Sequence, residues 1–265
     1  MLYRAEDKTG AGIWNGTSRL GIAESYDGLH FNKRSKNPVL SPEHDYELNG
    51  GCEDPRLVKV GDTFYLTYTG FDKKTPEADG KISICMATSK DLKHWDKKGI
   101  IVPNAKSGAI LDQKVNGKYV MYFGDENMYA AYSADMLHWA VRKEPVLRPR
   151  EGHFDDRIVE PGPPPIMTDD GILLIYNGDK KDGRRYCTGG VLFDKKNPSK
   201  VLKRCENPFL VPEKDWEING QVSNVVFSEG LVKRGKKWYL YFGGADSNVN
   251  VATCPDDKLL SILDM

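Results

Sequence analysis

The sequence predicts an all-β fold, a five-bladed β-propeller with a central active-site pocket, and three observations carry the prediction. A phrase of the form Ala-x-Ser-x-Asp-x-x-His-aromatic occurs three times, at Ala23–Phe31, Ala87–Trp95 and Ala131–Trp139, and a degraded copy keeps Ala252, Cys254 and Asp256. A second phrase, Tyr-x-Gly, closes short apolar runs at Tyr68, Tyr122, Tyr176 and Tyr241, with spacings of 54, 54 and 65 residues. Repeats of this length, made of short strands and turns, are the signature of propeller blades. Finally, strand signals dominate throughout, and only the tail 256–265 reads as a helix longer than about two turns.

The elements follow in order. Runs rich in aromatic and β-branched residues at 63–68, 118–123, 172–176 and 237–242 are bounded by Gly and Asp and read as strands. Each is preceded by a strand of mixed character, at 53–58, 109–115, 159–167 and 222–232, and these four are the candidates for the inner, pocket-lining position. That gives four full cycles after residue 50. The first forty residues supply part of a fifth blade, at 2–5 and 19–25, without its inner strand. Either the C-terminal tail supplies that strand or the sequence begins late. The repeats run nearly end to end, so residues 1–265 read as one catalytic domain.

Composition narrows the function. The 38 basic and 38 acidic residues cancel, so nothing recruits nucleic acid or an anionic membrane in bulk. No apolar run reaches the roughly 18 residues of a membrane span, and no signal peptide is visible. A cytoplasmic protein fits, as does an exported one whose signal has been removed. Cys52, Cys85, Cys187, Cys205 and Cys254 are scattered and never form Cys-x-x-Cys. This predicts buried thiols rather than a disulfide framework or a zinc site, and no metal or cofactor is called for.

His30, His94 and His138, with Asp27, Asp91 and Asp135, recur once per blade. A residue serving one chemical step need not recur, so these six read as turn and packing residues. Removing the repeat leaves singular groups on the inner strands: Asp54 and Arg56 in Glu53-Asp54-Pro55-Arg56, Glu160 at the head of a proline run, and Glu229 interrupting an apolar strand. Asp112 and Lys114 fall on the second inner strand, and Asp246 follows the last Tyr-x-Gly. Arg4, Arg19 and Asn49 are further candidates for lining the pocket. A buried acid is costly unless solvated or paired. Three acids from three blades suit glycosidic bond cleavage, in which one carboxyl protonates the leaving oxygen and a second activates water. Crowding separates their pKa values.

Four stretches, Glu53-Asp54-Pro55-Arg56, the run from Gln113-Lys114 to Tyr119, Gly162-Pro163-Pro164-Pro165 with Thr168, and Phe242-Gly243-Gly244-Ala245-Asp246, together resemble glycoside hydrolase family 130 from about residue 2 to 254. The resemblance implies a five-bladed propeller acting on β-mannoside oligosaccharides. It implies Asp54 as the general acid, its proton relayed through a sugar hydroxyl, Lys114 in the phosphate or sugar site, and Asp246 on the mannose. Most studied members resemble phosphorylases, which use inorganic phosphate as co-substrate and release mannose 1-phosphate.

Departures from the phosphorylase pattern set the expectation. Tyr122-Phe123-Gly124-Asp125 stands where phosphorylases carry a His-Arg-Pro ending, and Tyr176-Asn177-Gly178 where they carry Tyr-His-Gly. A phosphate dianion needs such cations and donors. Glu160 and Glu229 stand in place of small or polar residues, and carboxylates activate water. The expectation is therefore an inverting exo-hydrolase of β-1,2-mannosides with Asp54 as acid and Glu160 and Glu229 as base. A mannoside phosphorylase is the alternative within enzymes. A glycan-binding propeller without catalysis is the alternative of another class, and a propeller glycosidase for arabinosides or fructosides is a further one.

Overall fold

Residues 1–7, 16–73, 80–183 and 185–265 are described by a computed structural model. They fall into two compact units, Met1–Gly108 and Ala109–Met265.

The first unit is one seven-stranded sheet. Strands β1 (Leu2–Glu6), β2 (Ser18–Glu24) and β3 (Lys33–Arg34) form one antiparallel set, and β4 (Asn49–Val60), β5 (Thr63–Asp72), β6 (Lys81–Ser89) and β7 (Asp96–Pro103) form another. The two sets join where β2 and β4 run parallel at a single pair, Ser18 and Gly51. Gly51 has φ +107°, and a Cβ there would collide with the Ser18 carbonyl oxygen, so the junction requires glycine. A two-residue turn, Gly61-Asp62, closes β4 onto β5, with Gly61 at φ +57°. Leu20, Leu40, Cys52, Leu66, Tyr68, Cys85 and Ala87 fill the core.

The second unit holds three antiparallel sheets. Strands β8 (Ala109–Ile110), β9 (Tyr119–Phe123), β10 (Tyr129–Ser133) and β11 (Ala140–Val141) make the first. Strands β12 (Ile158–Pro161), β13 (Ile166–Met167), β14 (Ile172–Asp179), β15 (Cys187–Phe193) and β16 (Val201–Arg204) make the second, and β17 (Val226–Arg234), β18 (Lys237–Gly244) and β19 (Asn248–Pro255) the third. Val120, Tyr122 and Ala130 pack with Val159, Leu174, Tyr176 and Val191 in one core.

The all-β expectation holds, and the four runs read as strands are β5, β9, β14 and β18. The five-bladed count does not appear in the sheets. Among the described residues there are four, of seven, four, five and three strands, and none closes on itself. The reason is local, since the Ser18–Gly51 contact merges two repeats into one sheet. The tail supplies no inner strand either. Asp256–Asp264 is a 3-10 helix, and its Leu259 and Leu263 pack on Leu173 and Leu192.

The recurring Asp and His are turn formers. Asp27 Oδ1 accepts from the Leu29 and His30 amides at 2.8 Å, and Oδ2 meets His30 Nδ1 at 2.7 Å. The same geometry recurs at Asp91 with His94 and at Asp135 with His138, all at the surface. No described helix is long and apolar enough to cross a membrane.

Candidate active site

In the first unit the site is built on an irregularity of β4. The β4–β5 register slips between Glu53 and Arg56, and Asp54 takes φ +49°. A bulge of this kind bends a strand and re-aims its side chains. Pro55 forbids a ladder bond at the same place. Arg4 Nη1, reaching over from β1, lies 3.3 Å from Asp54 Oδ1 and 3.8 Å from Glu53 Oε2. Arg4 Nη2 also lies 3.3 Å from Glu6 Oε1. Arg56 is buried and donates from Nη1 to the Asp54 carbonyl at 3.1 Å, so it fixes the bulge that presents Asp54.

Electrostatics separates the two neighbouring acids. Burial raises the Asp54 pKa, but the charges of Arg4, Lys106 and Arg56 outweigh it and leave the carboxyl below its ordinary value. Burial also dominates at Glu53, where Arg4 opposes it and the Asp54 charge adds to it, so the carboxyl is pushed up to about 7. Lys106 was not singled out from the sequence, yet its charge acts on Asp54.

The other first-unit candidates are held in contacts of their own. Arg19 pairs with Asp7 at 2.7 Å and donates to the Thr17 carbonyl. Asn49 is exposed, and its carbonyl accepts from Thr17 Oγ1.

In the second unit Glu160 is fully buried on β12, opposite Asn177 of β14. Asn177, also fully buried, donates through Nδ2 to the Ser228 carbonyl at 3.1 Å and accepts the Ser228 amide at 2.8 Å. Thr188 Oγ1 meets Ser228 Oγ at 2.9 Å. The β17–β18 register slips between Ser228 and Gly230, so Glu229 is the bulged residue of β17. One amide side chain thus ties the strand beside Glu160 to the residue before Glu229. Asp246, at φ +50°, lies in the β18–β19 turn, whose Ala245 exchanges backbone bonds with Val222 and Val225. Arg157 forms an ion pair with the buried Asp179 and lies 6.0 Å from the Tyr186 ring centre. Sequence reading passed over both residues.

Two expectations are corrected here. Asp112 and Lys114 do not lie on an inner strand, because β8 ends at Ile110. Both are exposed at the approach to the Asn116-Gly117 turn, and Lys114 Nζ sits 5.0 Å from the Tyr119 ring centre. The two positions at which the phosphorylase pattern has other residues are buried. Asn177 has both ends of its amide bonded to Ser228. Phe123 is buried and stacked on Tyr129. In this chain both side chains are taken up by contacts within the second unit. Among the described residues no three His, Cys, Asp or Glu side chains group as a metal site.

The glycoside hydrolase 130 model, described as beta-1,4-mannooligosaccharide phosphorylase, matches residues 1–265. The 1,2-beta-oligomannan phosphorylase of Thermoanaerobacter sp. (strain X514) is 41% identical over 260 residues, 95% of this chain and 84% of that protein. The beta-1,2-mannobiose phosphorylase from Listeria innocua, solved with β-1,2-mannobiose, is 30% identical with a TM-score of 0.85, covering 94% of this chain and 70% of that one. A structure described as "The GH130 family of mannoside phosphorylases contains glycoside hydrolases that target beta-1,2 mannosidic linkages in Candida mannan" is 38% identical with a TM-score of 0.91, covering 97% and 80%. The expectation of direct attack by water, with Glu160 and Glu229 as base, is overturned by the named relatives, which are phosphorylases.

Proposed function

Because this chain belongs to glycoside hydrolase family 130, we propose that it is a phosphorylase of β-1,2-linked mannosides. Inorganic phosphate attacks C1 of the terminal mannose with inversion and releases mannose 1-phosphate. The observation that carries the reading is the 41% identity with a 1,2-beta-oligomannan phosphorylase over 95% of the chain. The residues around Asp54 support it, since Arg4, Lys106 and Arg56, which all act on this one carboxyl, are cations of the kind that bind a phosphate dianion.

Asp54 is the general acid. As the C1–O bond breaks, its proton reaches the leaving oxygen, directly or through a sugar hydroxyl, while a phosphate oxygen bonds to C1. Glu160 and Glu229 bind sugar hydroxyls, which carboxylates accept well. Asp246 is a further sugar ligand. Phosphate enters as co-substrate and no other cofactor takes part.

Product analysis with β-1,2-mannobiose, with and without phosphate, tests the reading. Mannose 1-phosphate forming only when phosphate is present is the expected result. Free mannose at a rate indifferent to phosphate would falsify it.

A further inference from the structure

Glu53 is the acid of the first-unit site to which the proposed reaction gives no role. Its side chain is anchored at both oxygens. Oε1 accepts from the buried Ser18 hydroxyl at 2.8 Å, and Oε2 lies 3.8 Å from Arg4 Nη1, the nitrogen that also approaches Asp54. The charged groups facing this pair are Arg4 and Glu6 from β1, Arg56 from β4, and Lys106 from the segment after β7. Ser18 from β2 is the neutral donor.

Two carboxyls against one guanidinium in a low-dielectric site do not ionise independently. Here Glu53 is the one pushed up to about 7, while Asp54 is held low. A general acid needs its proton at the working pH, and this arrangement leaves it on the neighbour.

We propose that Glu53 is a positioning residue for the proton of the general acid: Glu53 and Asp54 hold one proton between them against Arg4, and Asp54 carries it when the glycosidic oxygen departs. An ionised Glu53 raises the proton affinity of Asp54, so the transfer from Glu53 to Asp54 is what charges the acid. In the bond-breaking step the proton leaves Asp54 for the leaving oxygen, and the pair regains one proton from water. The inference rests on the proposed function only in taking Asp54 as the acid.

The test is Glu53→Gln. The amide is nearly isosteric, and its oxygen still accepts from Ser18, so that anchor survives while the titrating charge and its attraction to Arg4 are lost. The basic limb of kcat/KM against pH should move to lower pH by about one unit or more, with kcat at neutral pH down about tenfold. KM for the mannoside should be unchanged, and Glu53→Asp should return part of the limb. A variant whose limb matches the parent's overturns the proposal.

A second readout needs no active variant. Infrared difference titration of the parent should show a carboxyl protonating at about 7, and in Asp54→Asn its midpoint should fall, because an anionic neighbour is gone. The absence of such a band in the parent overturns the proposal as well. Should the parent form free mannose rather than mannose 1-phosphate, the phosphorylase reading fails. The limb, followed on whichever product forms, still decides Glu53.

Discussion

Asp54 holds a left-handed backbone conformation, φ +49°, that most side chains avoid. Asn and Asp are the non-glycine residues that tolerate it best. The second unit repeats the position. Pro42-Glu43-His44-Asp45-Tyr46-Glu47-Leu48-Asn49-Gly50 matches Pro212-Glu213-Lys214-Asp215-Trp216-Glu217-Ile218-Asn219-Gly220, and in that register Asp54 corresponds to Asn224. Asn224 has φ +60°. The backbone therefore accepts either residue, and the choice of Asp is a choice of chemistry. Asp54→Asn should keep the fold and the bulge while turnover falls by about 10²–10⁴-fold, the contribution of a positioned general acid. Turnover and thermal melting measured together check it, and a parent-like rate in a folded variant removes Asp54 from the mechanism.

At the scale of elements, β14 and β17 are coupled through one side chain. Asn177 satisfies both backbone groups of Ser228, and both residues are buried. Asn177→Ala leaves a buried N–H and a buried carbonyl unpaired, at about 1–3 kcal/mol for each such group. Denaturant unfolding should show a midpoint lowered with the slope unchanged, and KM for the mannoside should rise as Glu160 and Glu229 lose their common brace. An unchanged midpoint removes the brace. The strands themselves were legible, because alternating apolar residues and Gly-rich turns are local signals. The brace was not, because its partners are 51 residues apart and meet only through register. The place of Lys114 was not legible either. Asn116-Gly117, with φ +50° and +80°, is a hairpin turn that pairs Val115 with Lys118, but the chain leaves the ladder at 112–114 just ahead of it.

Across the whole molecule the repeat does more than space the strands. The tyrosine of Tyr-x-Gly donates to a fully buried acid in each unit, Tyr68 to Glu47 at 2.6 Å and Tyr176 to Asp155 at 2.6 Å. The tyrosines were visible in the sequence, but their acids were not, since they lie 21 residues upstream. The count of sheets was hidden too, because it turns on the single Ser18–Gly51 pair. In the first unit Glu47 also receives Lys97 Nζ at 2.7 Å, and that lysine side chain is only 5% exposed. Burial alone raises the Glu47 pKa, but Lys97, the Tyr68 hydroxyl and the Glu43 amide together bring it below its ordinary value. A carboxyl depressed in the folded state contributes stability that is complete above its unfolded pKa and is lost as pH falls through the folded one. Glu47→Gln removes that contribution and leaves the buried Lys97 with only the Ser41 carbonyl and the exposed Glu43 carboxylate at 3.8 Å, at up to about 3–5 kcal/mol for a broken buried pair. At neutral pH the variant should therefore melt below the parent, with faster amide exchange in residues 1–108. On acidification below the ordinary carboxylate range the parent should lose stability faster than the variant, so the gap narrows. A gap constant with pH would show that the Glu47 charge plays no part in holding this unit together.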